Sequence, residues 1–238
     1  MWNGFKSEEF DFQGFAAIIV YPDCEPIGRM VLKTEYMVAF PGFDIAMLNR
    51  GYYIIHVNHI CRWAIDEDLR VMAEFVKFCA KKLGTEEKCI PEGMSAGGMQ
   101  ALRFAQEYPE LVAVMYVDAP AVNMLSQCGL GRNTVTKEKT TREMYEFYNL
   151  DAESLVAFRR SPIDFMDKLT DNDIPIVLVY GDADESVIWE ESGKWLVEHY
   201  KAKGGNMKTI LKPGCGHHPH GLIGDNSPIV DYIVAHSN

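Results

Sequence analysis

Positive charge is in short supply in this sequence. Its 238 residues carry 34 acidic side chains against 23 basic ones, a formal charge of −11. A field of that sign repels phosphate backbones, and no local basic patch offsets it, so no nucleic-acid partner is expected. Apolar runs long enough to cross a membrane, roughly 18 residues, are missing as well, so no membrane partner is expected. Met1 to Phe12 have neither a basic start nor an apolar stretch, and nothing there reads as a signal peptide. There is no Cys-x-x-Cys pair: Cys24, Cys61, Cys79, Cys89, Cys128 and Cys215 are scattered. A chain with enough core to do without cross-links reads as reduced and cytoplasmic. No low-complexity tract, tandem repeat or Gly/Ser linker divides the chain, so one domain is expected over 1–238.

What is present is an ordinary globular balance, 47% hydrophobic and 24% charged. Short apolar or β-branched runs alternate with amphipathic stretches, the pattern of an α/β protein with a largely parallel sheet covered on both faces. The runs are 16–21, 30–33, 53–57, 88–92, 111–117, 174–180 and 207–211. The spacing of Leu69, Met72, Val76, Cys79 and Leu83 predicts a helix over 66–83, with Asp66 near its start and Gly84 stopping it. Further helices are expected at 44–50, after Ser95, over 186–203 and over 228–236. The connection 22–28 is too short for a helical crossover, so runs 16–21 and 30–33 are expected to pair antiparallel. Between Ala119 and Asp173 the strand rhythm lapses into Met- and aromatic-rich helical sequence, read as a small lid inserted over one end of the sheet.

The strongest chemical signal is Gly93-Met94-Ser95-Ala96-Gly97-Gly98, a Gly-x-Ser-x-Gly pattern placed between an apolar strand and a helix. A serine on such a turn is strained, and small neighbours let the backbone pass without collision. The following helix points its N-terminus at the site and favours negative charge there, which makes the Ala96 N–H one oxyanion donor. A second donor is expected from the loop after 30–33, near Glu35 or Tyr36, with 40–43 as the other stretch; Pro41 has no N–H to give.

A nucleophilic serine needs a base, and the base needs a carboxylate to orient it. The run 176–180 ends in Gly181-Asp182-Ala183-Asp184, where Asp184 lies further out on the loop and Asp182 is placed to brace the turn. Asp118, ending another strand, is a third candidate; for each, an Asx-turn or cap is the bland reading. Three of the seven histidines crowd into Gly216-His217-His218-Pro219-His220-Gly221. His217, first after the glycine, is the expected base, with His218 or His220 supporting the loop or touching substrate. A metal site is the other reading, but spacing this tight does not easily let three rings face one ion, and no remote acidic or cysteine cluster accompanies them. No metal and no cofactor is therefore expected.

Together these motifs resemble the α/β-hydrolase superfamily of serine hydrolases, and more narrowly bacterial esterases of the carbohydrate-esterase and prolyl-oligopeptidase-like type. The resemblance implies Asp184 as the acid and His217 as the base. It implies removal of a small, often acetyl, group from an ester, an acylated sugar among the candidates. Two departures stand out: Ile188 replaces the proline many relatives carry after Val187, and the His-Gly oxyanion signature is missing. The negative charge favours neutral esters over polyanionic substrates. A peptidase is disfavoured by the short chain and the lack of an additional substrate-anchoring domain. A catalytically silent small-ligand binder is the alternative from another class, and covalent labelling of Ser95 separates the two.

Overall fold

The computed structural model describes residues 1–237. In chain order the elements are β1 (Ser7–Phe12), β2 (Phe15–Val20), β3 (Met30–Lys33), α1 (Gly42–Leu48), β4 (Tyr53–Val57), α2 (Asp66–Leu83), β5 (Cys89–Met94) and α3 (Ala96–Glu107). They continue as β6 (Met115–Asp118), α4 (Lys137–Tyr148), α5 (Ala152–Val156), α6 (Met166–Thr170), β7 (Ile176–Gly181), α7 (Gly193–Lys203), β8 (Met207–Lys212) and α8 (Ser227–His236). The strands form one sheet in the order β1-β2-β4-β3-β5-β6-β7-β8. From β4 onward every neighbouring pair is parallel, and only β1–β2 and β2–β4 are antiparallel. This is the α/β-hydrolase fold. One core layer packs α2, α3 and α7 on one face of the sheet, and a second packs α1 and α8 on the other.

The central strands are continuous apolar runs because helices cover both their faces. α2 matches its expected bounds, and Gly84 ends it in the left-handed conformation at φ 67°. The helix expected over 186–203 starts later, at Gly193, after a single tight turn at Trp189–Glu191. One expectation fails: β2 and β3 do not pair, and β1 is a further strand beyond the apolar runs. A turn at Gln13 and Gly14, both at positive φ, folds β1 onto one edge of β2, and β4 occupies the other. The connection 21–29 therefore passes across β4 rather than closing a hairpin.

The segment 119–173 folds as a distorted helical turn at Ser126–Leu130, broken at Gly129, followed by α4, α5 and α6. α4 is fastened to the loop before α2: Trp63 Nε1 donates to Glu143 (2.8 Å) and the Tyr148 hydroxyl donates to the Trp63 carbonyl (2.7 Å). The turn near Arg132 is held by Glu191, which accepts from the Arg132 N–H (2.9 Å) and the Ser126 hydroxyl (2.6 Å).

Candidate active site

Ser95 sits between β5 and α3 at φ 55°, ψ −118°. That is a strained conformation for any side chain but glycine, and it lifts the hydroxyl above the sheet. The turn is possible because Gly93 has no Cβ: one there would run into the Gly97 carbonyl. Ala96 is the first residue of α3, so its N–H belongs to the first turn, which has no partner within the helix.

Asp184 follows β7 and His217 follows β8. His217 Nδ1 donates to Asp184 Oδ2 (2.7 Å), and His217 Nε2 lies 2.9 Å from Ser95 Oγ. The other Asp184 oxygen accepts the backbone N–H of Ser186 and of Val187, each at 2.8 Å. Burial pushes the Asp184 carboxyl up, but the bond from His217 and these two donors outweigh it and hold the group below its usual range. An ionised Asp184 keeps the proton of His217 on Nδ1. Nε2 is then free to accept from the serine hydroxyl.

The remaining candidates divide. Asp182 braces the turn, accepting the Gly214 N–H at 2.6 Å. Asp118 is fully buried and does not reach His217. It accepts from Lys212 Nζ (3.2 Å), His220 Nδ1 (3.1 Å) and the Gly221 N–H (2.7 Å), and so pins the histidine loop to the ends of β6 and β8. His218 stacks on Phe40, rings 5.6 Å apart and 11° from parallel. Burial, with His217 and His220 beside it, lowers its pKa. The loop turns tightly enough that ligating atoms of His217, His218 and His220 lie within 4.8 Å of one another. Asp184 and Asp118 are not members of this group; each bonds the Nδ1 of one of its rings.

Tyr36 lies at φ 55° on the loop after β3 and lines the same cavity as Ser95. Burial pushes its phenol above the usual range, with Arg62 and a hydrogen bond to the Ser95 side chain opposing, so the phenol keeps its proton beside the serine. The neighbouring Glu35 anchors this loop. His59 Nε2 meets its carboxylate at 2.9 Å and Gln100 Nε2 donates to it at 3.2 Å. Burial raises the Glu35 carboxyl, but His59 and Arg62 overcome it and keep the group below its ordinary value. Glu35, His59 and Gln100 come from three separate elements, and nothing local in the sequence marks them.

The cavity over Ser95 has a volume of about 300 Å³. Its floor holds Tyr36, Phe40, Ala96 and the histidines, and the segment 119–173 contributes Gln127, Thr136, Lys139 and Thr140. Gln127 is buried, and its Nε2 is without a partner among the described residues. A larger groove of about 560 Å³ runs along β1 and β2, away from Ser95, and the one histidine lining it, His56, is already bonded at both ring nitrogens. Chemically the smaller cavity is the reactive one: a hydroxyl in line with an imidazole and a carboxylate is the arrangement for acyl transfer.

Fold and constellation define a serine hydrolase. Residues 67–233 match the model of the prolyl oligopeptidase family, and the chain belongs to that family. No curated protein matches the sequence. Among solved structures, the acylaminoacyl peptidase of Pyrococcus horikoshii superposes with a TM-score of 0.76 at 12% identity, over 98% of this chain and 42% of that one. A puromycin hydrolase gives 0.69 at 18% identity, over 97% and 38%. A puromycin-hydrolyzing peptidase of Mycobacterium tuberculosis gives 0.68 at 14%, over 90% and 37%. At these identities the likeness is one of fold, and this chain spans less than half of each of the three. The prolyl-oligopeptidase side of the motif resemblance thus has its counterpart; the carbohydrate-esterase side is not shown. No helix among the described residues is long and apolar enough to cross a membrane, and the six cysteines are free.

Proposed function

We propose that the protein is a peptidase-type serine hydrolase that cleaves the acyl–nitrogen bond of a small substrate through an acyl-enzyme. The observation that carries this is the unbroken hydrogen-bond chain Asp184–His217–Ser95 at 2.7 and 2.9 Å. Ser95 Oγ attacks the carbonyl carbon as His217 Nε2 takes its proton, and Asp184 stabilises the imidazolium. The oxyanion is received by the Ala96 N–H and by Tyr36, whose phenol is placed beside Ser95. His217 then protonates the leaving nitrogen, and a water repeats the sequence to release the acid.

Family membership weighs toward amides over the sugar acetyl group that the motifs bring forward. The segment 119–173 roofs the site as a lid. Its Gln127 and Lys139, with Arg62 opposite, make that end rich in donors. This favours a substrate bearing a carboxylate or other acceptor there despite the acidity of the whole chain. Esters with good leaving groups follow the same path and serve as probes.

Wild-type protein is expected to label with a fluorophosphonate and to turn over an aryl acetate, while Ser95→Ala does neither and keeps its circular dichroism spectrum. Aminoacyl amides are expected to turn over faster than acetylated sugars. Equal activity in Ser95→Ala sinks the mechanism, and a preference for acetylated sugars sinks the substrate class.

A further inference from the structure

The site proposed above uses His217 alone, yet the loop delivers three imidazoles to one point. His217 Nδ1 is bonded to Asp184 and His220 Nδ1 to Asp118, at 2.7 and 3.1 Å. Each carboxylate takes the Nδ1 side of its ring, so both rings are left to present Nε2. A histidine whose far nitrogen is held by a carboxylate is the usual arrangement around a bound transition metal, since it fixes the tautomer and strengthens the donor. His220 is buried and further fixed because Lys212 and the Gly221 N–H hold Asp118 in turn. His218 supplies the third ring. It is exposed and stacked on Phe40, while Phe40 meets His220 edge-on at 5.0 Å.

From this geometry we infer that His217, His218 and His220 form a binding site for a borderline divalent transition-metal ion such as zinc, and that occupancy of the site silences the hydrolase. Zinc–imidazole bonds of about 2.0–2.1 Å in a tetrahedral site put ligand nitrogens about 3.4 Å apart. The nitrogens here lie within 4.8 Å of one another, so a movement of up to about 1.4 Å brings them to a tetrahedral ion. The exposed ring of His218 is the one free to make it, because the other two are held at both ends of their loop. Three neutral nitrogen donors suit zinc, nickel or copper and give nothing to magnesium or calcium. On binding, the Nε2 lone pair of His217 forms a bond to the metal and its hydrogen bond from Ser95 is lost. No electron is transferred and no covalent bond breaks, so removal of the metal restores the base.

The test uses the whole chain. Equilibrium dialysis of the Ser95→Ala protein against zinc is expected to give one saturable ion per chain, and cobalt in its place is expected to give the visible absorption of a tetrahedral site. His218→Ala is expected to lose at least roughly tenfold in affinity by the same dialysis. In active protein, zinc is expected to inhibit reversibly, with chelation restoring the rate, and the inhibition constant for His218→Ala rises in step with its dialysis constant. His218→Gln, retaining bulk at an exposed position, guards against a folding artefact. Absence of saturable binding, binding indifferent to both His218 substitutions, or activation by zinc each overturns the inference. The dialysis needs no turnover, so its result stands apart from that of the activity assays.

Discussion

At the scale of single residues the site depends on which atoms keep their protons. Asp184 is held below the usual carboxylate range, so it stays charged as the pH falls well into the acid range. Loss of activity at mildly acid pH therefore does not arise from its titration. Tyr36 is pushed the other way and keeps its phenolic proton. If that proton serves the oxyanion, Tyr36→Phe lowers kcat by about 10²- to 10³-fold with little change in KM, the usual cost of one oxyanion donor. An unchanged kcat would refute the phenol as the second oxyanion donor. Steady-state kinetics on one aryl ester make the measurement.

Between elements, the decisive contact is where α3 passes the loop after β3. A Cβ on Gly97 would stand 2.8 Å from Glu35 Cβ and 3.2 Å from Thr34 Oγ1. Gly97→Ala must push this loop, and Tyr36 with it, away from Ser95. Displacement on this scale is expected to lower kcat roughly ten- to a hundredfold. Thermal unfolding should still be cooperative; wild-type kcat in a folded variant would contradict the account. The elbow itself was legible because its glycines, serine and flanking periodicities are neighbours in sequence. So were the buried strands, whose apolar runs need no partner to be recognised. β1 was not, since Ser7-Glu8-Glu9-Phe10-Asp11-Phe12 alternates at a half-exposed edge and looks polar. The pairing of β2 with β4 and the anchoring of Glu35 by His59 and Gln100 depend on chain reversals that no local pattern encodes.

For the molecule as a whole, the ends of β3 and β5 are joined by a buried charge cluster. Lys33 Nζ donates to Asp44 (2.7 Å) and to Glu92 (3.2 Å), while Asp44 Oδ1 and Glu92 Oε2 are left without partners as acceptors. A proton on Glu92 satisfies both, and burial together with Asp44 raises the Glu92 carboxyl well above its ordinary value, with Lys33 opposing. The unfolded glutamate ionises near 4.5, whereas the folded one keeps its proton to higher pH. The folded state thus binds more protons in this window, and the Glu92 contribution to stability falls as pH rises above 4.5. Glu92→Gln retains a donor and cannot ionise. Its urea midpoint is expected to fall less over that window than the wild-type midpoint, and parallel profiles would refute the protonated Glu92. The chain order of the site has a consequence for synthesis. Ser95, Asp184 and His217 follow β5, β7 and β8, and the base is seated only when Asp118 has captured the loop through Lys212, His220 and Gly221. In the proposed mechanism a chain that already displays Ser95 therefore lacks its base until β8 and the histidine loop have docked.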